Sequence, residues 1–510
     1  MSVSLSQNTR TYNAIANSLY GIVAAILSVV INFAVRIVIV RALGEEINGL
    51  HNLFQNTINV LALMETGIST AMVIHLYKPV KEENEEQICQ LIGFYKQIYL
   101  GIAFCFLALG VIVAFFFLDK LVTSSIPMYT VRIYFLLFAF SFFVNYLTYY
   151  KRSIIFAEQK NRISIAATIG SELVFRGLAI VLALVYHQYC LFLLLLIIER
   201  FCGNYICIRY VNKYHPYLNH YSGPSLPMST KRSIWLTIKP LFVNQTANTV
   251  QKSSNSILIG MLLGNISIVG YYGSYQLVSG TVELLFSQFG GAFTSGFGNL
   301  ATEGDKKHMY SAYKKSCVMM YSMAFVCCSV FLACIQLFIE CVFGQNFVLD
   351  MSSVLILLLT MFVTLFNIPI ISVQNAVGAH RLDAKWMVVQ AVSAVFLGYW
   401  GGRLYGMNGI LGGLILPTFV FTSINKGIAI FKHVFDVGVG RYLLMLLMTI
   451  VKALVVIASS YSIAAMVSCE NVWCTIILKG VVSLVIAFGV AFLVYLPNDE
   501  FRSFIRNYIK

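Results

Sequence analysis

The chain has 510 residues and a formal net charge of +14 at pH 7; 59% of its residues are hydrophobic and only 11% are charged. Soluble domains carry about 25% charged residues. The composition therefore excludes a soluble globular enzyme, a disordered chain and a fibrous repeat. It is typical of a helical membrane protein, in which apolar segments of about 20 residues each cross the bilayer.

The apolar segments predict an all-α, polytopic membrane fold with about fourteen transmembrane helices. Polar loops and turn residues separate the segments. The predicted helices cover residues 11–43, 46–77, 93–118, 128–150, 163–186, 189–211, 233–263, 267–300, 311–340, 351–378, 384–404, 408–431, 441–467 and 472–496. The ten-residue tail that follows alternates apolar and basic residues at helical spacing, which predicts an amphipathic helix along the inner leaflet.

Basic residues alternate between the loops of the two sides. One side holds most of them, among them Lys151, Arg200 and Arg381, whereas the opposite loops hold few. Lys and Arg resist translocation, so the rich side is predicted to be cytoplasmic. Both termini then face the cytoplasm. The net charge is read as this orientation signal, and no nucleic-acid partner is predicted.

The chain repeats itself at an offset of about 220 residues, which is the signature of a two-lobed transporter. RALGEEINGLHNLFQ at 41–55 corresponds to MLLGNISIVGYYGSYQ at 261–276, with glycines expected to supply a tight outer turn and close helix packing. The repeat predicts an N-lobe (1–212, six helices), a cytoplasmic linker (213–230), a C-lobe (231–434, six helices) and a C-terminal region (435–510) with two helices and the tail. The lobes are expected to enclose a V-shaped central cavity.

Polar residues follow one face of each of four predicted helices, the first and second of each lobe. Unpaired polar groups in hydrocarbon cost several kcal/mol. The faces therefore predict one hydrated cavity between the lobes; the alternative is polar contacts that hold packed helices together. The amide residues predicted to contact a substrate are Asn32, Gln55, Asn59, Asn248, Asn255 and Gln276.

Charged residues at membrane depth are fewer, and each costs about 2.5 kcal/mol or more unless it is paired or hydrated. Arg36 and Lys252 are the leading candidates for contacting an anionic headgroup. Arg176 is a further one, although Glu172 lies four residues before it and the two side chains can form their own ion pair. Two more acids, Glu65 and Glu283, are assigned to charge balance or to a coupling H⁺ or Na⁺, with Glu172 as a third.

No sequence pattern indicates catalysis or a bound cofactor. The chain has no P-loop, no HExxH, no GxSxG and no CxxC pair. Neither ATP hydrolysis nor a metal site is therefore expected, and the protein is predicted not to be an enzyme.

The segment INFAVRIVIVRALGEEINGLHNLFQNTINVLALMETGISTAM at 31–72 carries a resemblance. Its arginine, leucine-glycine turn, aromatic-glutamine step and Glu-Thr-Gly-Ile sequence resemble the first two helices of Wzx-type polysaccharide repeat-unit flippases. These belong to the multidrug/oligosaccharidyl-lipid/polysaccharide exporter superfamily. The resemblance implies cavity roles for Arg36 and Glu65. The second half lacks an equivalent of the Glu-Thr-Gly-Ile step.

The resemblance implies export of undecaprenyl-diphosphate-linked oligosaccharide repeat units, such as those of O-antigen or capsule, across the bacterial cytoplasmic membrane by alternating access. Its implied partners are that glycan lipid, membrane lipids and other polysaccharide assembly proteins. Two alternatives are a multidrug or small-molecule cation antiporter of the same superfamily, and a membrane-embedded glycan polymerase. The polymerase would need a large external loop with catalytic Arg or His residues, and every predicted external loop is short.

Overall fold

A computed structural model describes residues 7–65, 67–219, 224, 226–303, 305–497 and 502, and every regular element in these ranges is helical. Within them, eleven helical stretches are long and apolar enough to cross a membrane. The predicted all-α, polytopic class is thereby confirmed. The amphipathic helix predicted for the C-terminal tail lies outside the described residues.

The chain divides into two compact units, Met1–Gly270 and Tyr271–Lys510. These units are defined by how the chain packs in space, whereas the predicted lobes are defined by the sequence repeat. The helices of the first unit are α1 Gln7–Val38, α2 Glu45–Leu61, α3 Ile68–Lys81, α4 Glu85–Ile112, α5 Leu118–Leu121, α6 Met128–Tyr149, α7 Arg152–Ala157, α8 Asn161–Tyr186, α9 Tyr189–Tyr214 and α10 Met228–Leu262.

The second unit follows the first turn of α11, which covers Ile266–Glu303. Its other helices are α12 Lys306–Phe343, α13 Met351–Val377, α14 Ala384–Pro417, α15 Gly427–Ile430, α16 Val439–Ala465 and α17 Val472–Tyr495. The eleventh and twelfth predicted helices, 384–404 and 408–431, lie within the stretch Ala384–Phe435, and Gly406 (φ 58°, ψ −137°) breaks the helix between them. The two parts fold back on each other, since a Cβ on Gly401 would lie 2.5 Å from the Gly409 carbonyl oxygen.

The second predicted helix is broken near its middle. A 3-10 segment, Ala62–Glu65, follows α2, and α3 starts after Gly67, whose φ is +83°. Left-handed backbone is far easier for glycine than for other residues, so the Glu-Thr-Gly-Ile sequence interrupts the helix here. An interrupted helix at membrane depth exposes backbone groups and is a recurrent feature of transporter binding sites.

The outer turn between α1 and α2 fulfils the expectation drawn from the repeat. Gly44 (φ +96°) and its repeat partner Gly264 (φ +64°) both adopt left-handed backbone. The next pair of repeat glycines pack against each other: a Cβ on Gly270 would lie 3.2 Å from the Gly49 Cα atom and 2.7 Å from Asn48 Nδ2. Glycine is therefore needed at 49 and 270 for the close approach of α2 and α11.

Helix α4 begins at Glu85, eight residues before the predicted start at 93. Asn84 is the reason, because its side chain accepts a hydrogen bond from the Gln87 backbone N–H at 2.9 Å and caps the helix. The preceding Glu83 takes a left-handed conformation (φ 53°) and ends the turn from α3. The acidic run at 82–86 thus forms a turn and a cap as well as a solvated first helical turn.

Candidate functional site

Helix α10 carries the most polar stretch within any long helix of the first unit. In residues 244–256 only Ala247 and Val250 are apolar. Accordingly, α10 is not one of the eleven apolar stretches, although it is 35 residues long. Lys252 lies about 15 Å from the C-terminal end of this helix at 1.5 Å per residue, and it is exposed.

One side of the polar stretch packs against α2. Asn52 Nδ2 donates to Ser256 Oγ at 3.3 Å and to the Val269 carbonyl at 2.9 Å, and Asn56 Nδ2 donates to the same Ser256 Oγ at 3.0 Å. Asn52, Asn56 and Ser256 are all buried. This part of the polar face of α2 therefore forms a packed amide seam, which is the alternative that sequence analysis weighed against a cavity.

Arg36, in the last turn of α1, contacts the end of this seam that lies nearer the start of α2. Its Nη1 donates to Asn48 Oδ1 at 2.5 Å and its Nη2 to Asn52 Oδ1 at 3.4 Å. The guanidinium lies about 10 Å from the outer turn at Gly44 and is half-buried. These two bonds orient the guanidinium of Arg36 at membrane depth.

Arg176 on α8 lies in a different setting, between two carboxylates. Its Nη2 is 2.7 Å from Glu172 Oε1, and its Nε and Nη2 donate to the two oxygens of Glu199 at 3.0 and 3.2 Å. Arg176 Nη1 also donates to Asn32 Oδ1 at 2.6 Å, and Ser28 Oγ donates to Glu172 Oε2 at 2.6 Å. These five residues, Ser28, Asn32, Glu172, Arg176 and Glu199, form a partly buried cluster that joins α1, α8 and α9, and both of its carboxylates are buried.

Glu199 was not among the predicted site residues. It lies ten residues into α9, within the predicted helix 189–211, and it is buried. The signal was present, because an acid within an apolar run meets the same criterion that identified Glu172. The adjacent Arg200, assigned to the cytoplasmic loops, instead lies in mid-helix with its guanidinium 3.8 Å from the centre of the Phe142 ring.

Glu65 ends the 3-10 segment at the break between α2 and α3. Tyr99 Oη donates to Glu65 Oε1 at 3.0 Å, and the carboxylate is half-buried. Glu65 is roughly 30 Å from the start of α2, close to the full hydrocarbon thickness, so it belongs to the opposite half of the membrane from Arg36. Between them, Gln55 Nε2 donates to Asn59 Oδ1 at 2.9 Å, and both side chains remain half-exposed.

The remaining predicted residues are placed as follows. Asn255 is half-buried on α10, next to the seam. Gln276 and Glu283 are half-buried on the part of α11 that belongs to the second unit. The side chain of Asn248 lies outside the described residues. Within the described ranges, no three His, Cys, Asp or Glu side chains gather into a group that would hold a metal ion.

No family model matches the chain, and no curated protein matches its sequence. Solved structures match its fold. The lipid II flippase MurJ, in an inward closed conformation, superposes with a TM-score of 0.70 at 13% identity, over 96% of this chain and 100% of that one. An inward-facing multidrug resistance MATE family transporter of the MOP superfamily gives 0.62 at 13% identity, over 81% and 94% of the two chains.

The eukaryotic MATE transporter AtDTX14 gives a TM-score of 0.57 at 12% identity, over 85% of this chain and 97% of that one. At such identities the similarity concerns the fold. The chain has the fold of these flippase and transporter structures, as sequence analysis expected for the superfamily.

Proposed function

We propose that the protein moves an undecaprenyl-diphosphate-linked oligosaccharide from the inner to the outer leaflet of a bacterial cytoplasmic membrane by alternating access. The observation that carries this proposal is the polar stretch of α10 with its exposed Lys252. A lysine facing hydrocarbon at the bilayer centre costs about 2.5 kcal/mol or more. An exposed lysine at this depth, on a helix with so many amides and hydroxyls, therefore supports an adjoining aqueous opening.

A cationic, amide-lined opening suits the headgroup of such a lipid. Diphosphate oxygens bind best to Arg and Lys donors, which supports Arg36 and Lys252 as the headgroup contacts. Sugar hydroxyls pair with side-chain amides, the role proposed for Gln55, Asn59, Asn248, Asn255 and Gln276. The prenyl chain stays in the lipid, so only the headgroup needs the polar path.

The membrane potential supplies a direction for this transport. In a membrane that is negative inside, an anion gains about 2.3 kcal/mol per charge per 100 mV on moving outward. The predicted orientation, with both termini in the cytoplasm, places Glu65 toward the inner side and Arg36 toward the outer side. We propose that Glu65, Glu172 and Glu283 balance the cations of the empty site or bind a coupling H⁺ or Na⁺.

A second candidate function is antiport of a small organic cation, and the partly buried cluster around Arg176 favours it. Two carboxylates share the guanidinium of Arg176 there, so the five residues of the cluster carry one net negative charge when both acids are ionised, and the nearby Arg200 offsets part of it. A negative cluster attracts cations rather than diphosphates. For the same reason the contacts of Arg176 favour a structural role over the predicted role in binding substrate.

Transport in proteoliposomes separates the two functions. The purified full-length protein is reconstituted with undecaprenyl-diphosphate-linked oligosaccharide that carries a fluorophore on its headgroup, and dithionite added outside reports the headgroups that have changed leaflet. We expect transport by the wild type and at least a tenfold lower rate in Lys252→Gln, about 1.4 kcal/mol of lost binding. Arg232→Gln is the matched control, because it removes an exposed cation near the start of the same helix.

The same vesicles, loaded with ethidium, test the second candidate. Ethidium efflux driven by an ion gradient, with no movement of the labelled glycan lipid, would support the antiport function and contradict the flippase function. Equal rates in Lys252→Gln and Arg232→Gln would remove Lys252 from the site. Arg36→Gln is expected to behave like Lys252→Gln, with the protein remaining abundant and monodisperse.

A further inference from the structure

A cavity of about 350 Å³ lies in the second unit, between α12, α16 and the last residue of α17. Its polar lining consists mainly of Tyr310, Lys314, Arg441, Lys452 and Tyr495. It shares no residue with the seam, the cluster or the polar stretch of α10. The chemistry of this cavity is therefore independent of the transport site proposed above.

The described lining contains three basic side chains and no acidic one. Two of the cations are positioned by aromatic rings: Lys452 Nζ lies 4.2 Å from the centre of the Tyr495 ring, and Lys314 Nζ lies 5.2 Å from that of Tyr310. Cation–π contacts of this kind hold an ammonium in place. The cavity is thus built to attract an anion.

The cavity lies toward one end of its helices. Lys314 and Arg441 are close to the starts of α12 and α16, and Tyr495 ends α17. Lys452 begins deeper, about 20 Å along α16, but its ammonium reaches back to Tyr495. The distribution of basic loops assigns this end to the cytoplasmic side of the membrane.

The cavity opens sideways to the lipid. Leu444 and Met448 on α16 line the cavity and are also 58% and 52% exposed on the surface of the helix bundle. A bound molecule would therefore have an anionic group among the three cations and an apolar part along α16. A soluble peptide or a nucleic acid lacks that apolar part, whereas an anionic lipid has both.

We propose that this cavity binds the headgroup of an anionic phospholipid of the inner leaflet, with the doubly charged cardiolipin as its best ligand. Basic pockets between transmembrane helices on this side of a membrane are suited to such headgroups. Two phosphates match three cations better than one phosphate does, and the acyl chains follow Leu444 and Met448. The bound lipid would bridge α12, α16 and α17, and so hold these three helices of the second unit together.

Native mass spectrometry of the purified full-length protein tests this proposal, with cardiolipin, phosphatidylglycerol and phosphatidylcholine added in separate titrations. We expect one retained cardiolipin, weaker phosphatidylglycerol binding and no retained phosphatidylcholine. Lys314→Gln, Arg441→Gln and Lys452→Gln should each weaken cardiolipin binding about fivefold, because each basic residue near an anionic surface contributes about 1 kcal/mol. Lys315→Gln, an exposed neighbour outside the lining, should leave binding unchanged.

Three results would overturn the proposal. The first is equal retention of phosphatidylcholine, and the second is unchanged cardiolipin binding in all three variants. The third is displacement of cardiolipin by undecaprenyl diphosphate that is itself lost in the same variants, which would make the occupant the transported class of lipid. Unfolding midpoints of the variants in detergent show whether each still folds. Loss of glycan transport in Lys252→Gln with intact cardiolipin binding would separate this site from the proposed function.

Discussion

Arg36 and Arg176 lie in the same unit and in the same part of the membrane, yet they have different kinds of partners. Arg176 is enclosed by the carboxylates of Glu172 and Glu199, and its side chain is only 17% exposed. Arg36 is oriented by the amides of Asn48 and Asn52. A charge at membrane depth is thus not sufficient to identify a binding residue; its partners decide whether it holds helices together or remains electrostatically active.

Removing the guanidinium of Arg176 is expected to have the largest effect on stability. Arg176→Gln leaves two buried carboxylates without their shared cation, which costs about 3–5 kcal/mol of the free energy of unfolding. Thermal unfolding in detergent measures the loss. The control is Arg132→Gln, which breaks the more exposed pair with Asp119 and should cost about 0–1 kcal/mol.

If the two variants unfold at the same temperature, the cluster is not the structural element that its geometry indicates. Adding Glu199→Gln to Arg176→Gln should recover part of the stability, because it removes one of the unpaired charges. Failure to recover any would show that the two residues are not coupled.

The contacts that hold Arg36 can be disturbed by a substitution on α11, where that helix packs closely against α2. In Gly270→Ala the added methyl group would meet Asn48 Nδ2 at 2.7 Å and Gly49 N at 3.0 Å. Overpacking of this kind costs about 1–3 kcal/mol, and it displaces the amide that holds Arg36. Gly280→Ala, on the same helix with nothing within 4 Å, should be neutral or gain up to about 1 kcal/mol. Similar unfolding midpoints for both would contradict the close approach.

The buried seam is expected to contribute less. Asn52→Ala removes the amide that donates to Ser256 and to the Val269 carbonyl, and hydrogen bonds between membrane helices are worth about 0.6–1.7 kcal/mol. Asn59→Ala, whose partner is only its half-exposed neighbour Gln55, should change the unfolding midpoint less. A larger effect at Asn59 would reverse the assignment of buried and open faces on α2.

The sequence predicts the fold well because hydrocarbon leaves few alternatives: apolar runs of sufficient length must be helices. It also identifies the outer turn, since Gly44 and Gly264 recur with the repeat and both require left-handed backbone. It misses the break at Gly67, because hydropathy averaged over the segment continues across a single turn of 3-10 helix. The early start of α4 depends on one capping side chain, Asn84, which a hydropathy window does not register.

The site is predicted less completely, for a physical reason. Helical spacing places Asn48, Asn52, Gln55 and Asn59 on one broad polar face, but spacing does not say which side of that face a neighbouring helix covers. Only the packing of α10 shows that Asn52 is buried whereas Gln55 and Asn59 stay half-exposed. In the same way, Glu172 predicts its pair with Arg176 from i, i+4 spacing, whereas the second carboxylate comes from another helix.

The smallest effect on stability is expected at an ion pair outside the membrane-spanning helices, which can be compared with the carboxylates around Arg176. Glu158, between α7 and α8, lies 3.2 Å from both His215 Nε2 and Lys160 Nζ. Burial alone would raise the pKa of the Glu158 carboxyl, but the hydrogen bond from His215 and the charge of Lys160 outweigh it and hold that pKa below its ordinary value. A carboxyl group whose pKa is lowered by folding stabilises the folded protein at pH values above its ordinary pKa. This stabilisation is lost as the pH falls through the lowered pKa.

Glu158→Gln should therefore cost about 0.2–1 kcal/mol at pH 7, and the difference from wild type should shrink as the pH falls below about 4.3. Unfolding midpoints of both proteins between pH 3 and pH 7 measure it. Glu82→Gln serves as the control, because the pair of Glu82 with Lys78 is 4.0 Å long and more exposed, and it should show almost no effect. A constant difference across this range would mean that Glu158 acts through packing and not through its charge, in contrast to the carboxylates around Arg176.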